Sequence, residues 1–268
     1  NLREVELTSR ERLLTAWRGG CPDRVPILGR MNKLLRSYYA GIPSAQWAEK
    51  SAEEFGLDMW GLCRCVPLPI HSPSTPAWRD DIHVDVRVED RGEMSYFHRT
   101  ITTPAGTLTD VKMQAPVDSI YGATPGPEVV EPLIKDPASD VDKIRYMMPD
   151  AAGYEAAGRR FEAYDRSLGE QGAAAFDVYS PLDCRVEDAM EQADFLTLVY
   201  DDESAFRELL AIGQEACRDE IRTALAVGAE VIHCWWFYAG ISGGWSPRIF
   251  EQYFLPMVKE QVDLAHQG

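Results

Sequence analysis

The chain has 268 residues, 27 basic against 43 acidic side chains, a formal net charge of −16 and 45% apolar residues. Seven Trp, eleven Tyr and nine Phe call for burial and exclude a disordered chain. The acidity argues against nucleic acid as a partner, and no apolar run approaches the ~20 residues that span a bilayer.

The start, Leu2-Arg3-Glu4-Val5-Glu6, is charged and lacks the apolar stretch of a signal peptide. It opens with Asn1 rather than Met, which fits a processed or trimmed chain. Thr8 or Ser9 caps a first helix with Glu11 near its third position, and Leu13, Leu14 and Trp17 form its apolar face. Residues 24–28 read as a short buried strand. Residues 32–55 read as two helical pieces broken at Gly41-Ile42-Pro43, and 57–62 as a second buried strand followed by Cys63-Arg64-Cys65 and a proline-rich loop. Residues 83–113 then change period: Val84, Val86 and Val88 alternate with charged residues, and turns at 90–93 and 104–106 make an antiparallel hairpin or meander. Residues 114–130 read as irregular. Helices follow over 132–147, interrupted near Pro137, and over 150–169. Residues 173–179 form a third buried strand. Helices over 187–198 and 203–227 lead to a fourth strand over 230–237, and Ser246-Pro247 opens a last helix to His266.

Buried strands separated by helices point to parallel βα units with one inserted hairpin. Four such units do not close an eight-stranded barrel, and the last helix stops where a further strand would begin. A doubly wound sheet could close with this number, and the end also reads as an ordinary C-terminal helix. The six cysteines, at 21, 63, 65, 184, 217 and 234, form no CxxC pair and read as reduced thiols of a cytoplasmic protein.

Four segments in order resemble the uroporphyrinogen decarboxylase superfamily, and in particular its methyltransferase-like branch. The first is 11–20 followed by Pro22-Asp23-Arg24-Val25-Pro26-Ile27. The second is the turn Thr103-Pro104-Ala105-Gly106-Thr107-Leu108. The third pairs 131–136 with 144–150, and the fourth is 245–256, Trp-Ser-Pro-Arg-Ile-Phe-Glu-Gln-Tyr-Phe-Leu-Pro. The resemblance implies a single (β/α)8 TIM barrel over 1–268 with the hairpin at about 83–113 inserted, incomplete at its C-terminus. It implies methyl transfer between a small methylated substrate and a corrinoid protein or thiol. Zinc would be the metal, with ligands expected beyond residue 268, and a homodimer is an expected assembly. The decarboxylase itself, acting on a tetrapyrrole without metal or cofactor, is the alternative. Against it, 28–33 keep at best Gly29-Arg30 of that enzyme's glycine- and arginine-containing stretch, and no carboxylate follows the second strand. A non-catalytic binding module is the third reading, favoured if the chain ends at Gly268.

Barrel active sites lie at C-terminal strand ends, and that rule selects the candidates. Arg30 and Asn32 follow the first strand, Arg30 as a carboxylate clamp or a structural ion pair. Cys63, Arg64 and Cys65 follow the second. The two thiols either bind a soft metal or lie buried and inert. Asp177, a carboxylate in an apolar run, needs a partner or becomes an acid, and Tyr179 follows it. His233 is a general acid/base, a ligand or a hydrogen-bonded core histidine. Trp236 and Tyr238, alternating along the fourth strand, would share a face and present an aromatic wall to a flat ligand. Asp177 and His233 are thus the catalytic candidates, and Arg30, Asn32, Cys63, Arg64, Tyr179, Trp236 and Tyr238 the substrate-binding ones.

Overall fold

The computed structural model describes residues 6–28, 38–39, 41–43, 46–66, 79–115, 127–182 and 189–267. It contains two sheets: three strands in the order β1 (Met59–Cys63), β6 (Gly172–Tyr179), β7 (Ile232–Trp235), and four antiparallel strands in the order β2 (His83–Arg91), β3 (Met94–Thr103), β4 (Gly106–Gln114), β5 (Glu128–Glu131). The helices are α1 (Ser9–Trp17), α2 (Trp47–Phe55), α3 (Pro137–Ile144), α4 (Ala151–Leu168), α5 (Gln192–Asp201), α6 (Glu203–Ala226) and a C-terminal helix whose main segment, α7, is Leu255–Ala265. The chain divides into two units, one of 1–65, 158–177 and 227–233, the other of the remaining residues.

In the first unit the capping box read from the sequence forms. The Glu11 backbone N–H donates to Thr8 Oγ1, and the Thr8 N–H donates to Glu11 Oε2 at 2.9 Å. Leu13 and Leu14 of α1 pack on Ala173, with Trp60 and Val231 against them. Strand β1 pairs parallel with β6 from Met59↔Gly172 to Cys63↔Phe176, and the Phe176 N–H donates to Val231 O at 2.9 Å. Gly172 is required by this pairing, because a β-carbon there would meet the Met59 carbonyl oxygen at 2.2 Å.

A charge network underlies β1. Asp58, fully buried, accepts from Arg12 Nη1 at 2.5 Å, Arg24 Nη1 at 2.7 Å, Ser9 Oγ at 2.8 Å and the Ile27 N–H at 2.9 Å. Arg12 also donates from Nε to Asp23 at 2.6 Å.

The second unit holds the antiparallel sheet. Ile101 and Leu108 face each other across β3 and β4 and are buried, as are the register partners Arg99 and Asp110, joined at 2.7 Å through Nε and Oδ1. Helix α6 buries one face, including Phe206, Leu209, Leu210 and Ile221. Around Phe206, the rings of Phe195, Trp245 and Tyr253 stand 5.2–5.8 Å away between centroids. The C-terminal helix starts at Pro247, with Ser246 Oγ accepting from the Ile249 N–H, and passes through a π-turn at Phe250–Phe254. Pro256 stands just inside α7, where its missing N–H removes a helical bond; a π-turn absorbs that irregularity.

The eight-stranded barrel expected from the sequence is not present. Among the described residues the parallel sheet has three strands, the rest of the β-structure is antiparallel, and no barrel closes. Closure needs the edge strands of a tilted eight-stranded sheet to meet. Among the described residues the segment 24–28 pairs with no strand. It contributes a carbonyl, Ile27 O, to the Asp58 N–H, and Val25 is 81% exposed. The hairpin region is a sheet with its own buried residues, and β5, read as irregular, extends it to four strands. Helix α3 begins at Pro137, where the sequence marks an interruption, rather than at 132, and the proline stands in its first turn.

Candidate active site

The parallel register brings the strand-end residues together within the first unit. Cys63 pairs with Phe176, so the next residues along, Arg64 and Asp177, come level. The bond from Phe176 N–H to Val231 O brings β7 alongside, and His233 stands two residues further on. Asp177 is almost fully buried. Its Oδ1 lies 3.0 Å from His233 Nδ1, and its Oδ2 lies 3.7 Å from Arg64 Nε.

A buried carboxylate needs compensation. Asp177 has an imidazole in hydrogen-bond contact and a guanidinium at ion-pair distance. The imidazole is held by its Nδ1, so Nε2 is on the opposite side of the ring. The His233 side chain is 31% exposed, and Trp60 meets its ring edge to face at 5.6 Å between centroids. A carboxylate that orients one histidine nitrogen fixes the tautomer and leaves the other nitrogen to exchange a proton.

The other face of the same strands meets α4. Phe161 packs on Phe176 at 5.3 Å. The Tyr164 ring lies over Gly61, where a β-carbon would meet the phenolic oxygen at 1.9 Å. Cys63, two residues on from Gly61, shares that face. Beyond it the Cys65 N–H donates to Cys63 O at 2.9 Å, closing a three-residue turn. The two Sγ atoms stand 2.7 Å apart. The contact with Cys65 lowers the Cys63 thiol pKa against burial and the nearby Asp177 carboxylate, with Arg160 adding to the lowering. The same contact and burial push Cys65 upward. Burial, then the two nearby thiols, raises Tyr164.

Sequence reasoning thus placed Asp177, His233, Arg64 and Cys63 at strand ends, and the structure brings all four into the first unit. It missed Trp60 and Tyr164. The signal for Tyr164 is Gly61, since a glycine inside a strand often marks close approach by another group. Arg30 and Asn32 lie outside the described residues.

The remaining candidates belong to the second unit. Tyr179 is buried and stacks on Trp235 at 6.2 Å. The aromatic wall is not formed. Strand β7 ends at Trp235 and a 3-10 turn follows at Phe237–Ala239, so alternation stops before Tyr238. The Trp236 Nε1–H donates to Gln261 Oε1 at 2.8 Å, and its ring leans on Phe254. Tyr238 borders a small apolar pocket with Phe195 and Trp245. Among the described residues no group of three or more His, Cys, Asp or Glu could hold a metal ion. Nor, among them, is any helix long and apolar enough to cross a membrane.

No protein-family model matches the sequence, and no curated protein matches it. Among solved structures, the fold is similar to that of a methyltransferase from Methanosarcina mazei, with a TM-score of 0.54 and 16% sequence identity, over 97% of this chain and 68% of that one. At that identity the likeness is one of fold.

Proposed function

We propose that this chain is an enzyme that transfers a methyl group between a small methylated substrate and a thiol or a corrinoid protein, with His233 as its proton-transfer residue. The observation that carries the reading is the contact of His233 Nδ1 with the buried carboxylate of Asp177. The fold likeness to a methyltransferase is in keeping with it.

Methyl transfer to a thiol needs the thiolate, because the lone pair that attacks the methyl carbon is held by a proton in the neutral thiol. His233 takes that proton at Nε2 while Nδ1–H donates to Asp177, and the buried carboxylate stabilises the imidazolium that forms. In the reverse direction the same nitrogen returns the proton to the leaving heteroatom. Arg64 balances Asp177 and, being half exposed, reaches toward an anionic substrate group. The described residues offer no group of three zinc ligands, and the resemblance places such ligands beyond residue 268. A corrinoid protein would enter as a partner that carries the methyl group on its own cofactor.

The test is a methyl-transfer assay with methylcobalamin and a panel of methylated thiols and amines, followed by mass spectrometry of the products. His233→Ala and Asp177→Asn should each lower kcat by roughly 10²–10⁴-fold, the range of general acid–base catalysis, with little change in KM. Methyl transfer unaffected by both substitutions would overturn the role of His233. Porphyrin fluorescence from uroporphyrinogen, with no methyl transfer, would favour the decarboxylase. Binding of a small molecule without turnover would favour the non-catalytic module.

A further inference from the structure

We propose that Cys63 and Cys65 form a redox-active dithiol, which closes to a disulfide by exchange with a low-molecular-weight disulfide and reopens with a thiol.

The backbone makes the pair. In a continuous strand, residues two apart point the same way but stand too far apart for their sulfurs to bond. At the end of β1 the strand gives way to the turn from Cys65 N–H to Cys63 O, at 2.9 Å. That turn folds the two residues toward each other and brings the sulfurs to 2.7 Å. Closing from there to a bond of about 2.05 Å requires a small movement. Both are free cysteines.

The two thiols are not equivalent. Cys63 is half-buried and Cys65 buried. Cys63 is thus the sulfur more open to a disulfide reagent. Cys63 is therefore the attacking sulfur and Cys65 the resolving one. In the first step the Cys63 thiolate attacks one sulfur of a disulfide RSSR. The S–S bond breaks, Cys63–S–S–R forms and RS⁻ leaves. In the second step Cys65 loses its proton to solvent and attacks the Cys63 sulfur, expelling the second RS⁻. The two thiol protons end on the two RS⁻ groups. The dithiol is oxidised by two electrons, and RSSR is reduced to two RSH.

A disulfide across one intervening residue is strained, and strained disulfides are the readily exchanged ones. The intervening residue is Arg64, the ion-pair partner of Asp177. Bond closure thus tightens the backbone at a residue that faces the candidate active site.

Purified full-length protein is equilibrated in glutathione buffers of graded reduced-to-oxidised ratio, quenched with an alkylating agent and digested with trypsin. Trypsin cuts after Arg64, so the oxidised pair is recovered as two peptides joined by a disulfide and the reduced pair as two alkylated peptides. The expected result is a reversible passage from alkylated to joined peptides as oxidised glutathione rises. Cys65→Ser should instead accumulate a glutathione adduct on Cys63, and Cys63→Ser should give none on Cys65. Should either variant fail to fold, the rate of alkylation in native wild-type protein decides: Cys63 should react at least tenfold faster than buried Cys217. The proposal is overturned if only a stable glutathione adduct forms on the wild-type protein, if both peptides stay alkylated at every ratio, or if Cys63 reacts no faster than Cys217.

Discussion

Asp58 shows how much one residue can carry. Its carboxylate is the meeting point of Arg12, Arg24, Ser9 and the Ile27 amide, immediately before β1. Burial pushes its pKa upward, but those donors outweigh burial and hold the group below the usual carboxylate value. Removing one member of a buried ion pair strands the other charge, which costs about 3–5 kcal/mol. Arg12 keeps Asp23 as a second partner, so Asp58→Ala should cost about 3 kcal/mol. Urea denaturation should show a lower midpoint at unchanged slope. Two residues that carried the family resemblance, Asp23 and Arg24, belong to this network. Through Asp58 and Arg12 they support the start of β1. Asp177 and His233 were legible as candidates because a carboxylate within an apolar run demands a partner. That the partner is His233, 56 residues away, follows only from the pairing of β1, β6 and β7.

At the scale of elements, local signals were read most securely where they act locally. The capping box at Thr8 and Glu11, the Ser246-Pro247 helix start and the hairpin turns all formed as written. Thr8→Ala should therefore lower stability by about 1 kcal/mol, the usual worth of an N-cap. Thr8→Ser should retain it, and thermal melts of the two variants would tell them apart. Elements whose existence depends on a partner were read less well. Residues 24–28 have the composition of a buried strand, yet they make one backbone bond to Asp58 and stay largely exposed. Strand β5 was invisible because four residues carry little periodicity, and it exists through its ladder with β4. The aromatic run after β7 was read as continuous alternation, whereas a 3-10 turn breaks it.

For the whole molecule, the paired carboxylates set how stability responds to pH. Asp23, held low by Arg12, and Asp58, Asp140 and Glu260, held low by their hydrogen-bonding partners, all have depressed pKa values in the folded state. A depressed carboxylate contributes stability above its unfolded pKa of about 3.9–4.3 and loses it as pH falls through the folded value. The melting temperature should therefore hold near neutrality and fall steeply below about pH 4. At the other extreme, burial and then Glu54 push the Tyr39 phenol up to about 12. A raised group contributes below its unfolded pKa of about 10 and loses that contribution as pH rises through the folded value, so a second decline is expected between those limits. Scanning calorimetry across pH tests both limbs, and a melting temperature unchanged down to pH 3 would contradict the first.

By itself the sequence determined the features that depend on neighbours along the chain: helix caps, alternation in β2–β4, buried strands near 57–62, 173–179 and 230–237, and the chemistry-bearing residues at their ends. Whether those strands close into a barrel was decided only by tertiary pairing, since hydrogen-bond partners and register lie between distant segments and leave no local periodicity. The same holds for the contact between Asp177 and His233 and for the approach of Cys63 to Cys65. The first depends on the register of three strands, and the second on the point at which β1 gives way to a turn.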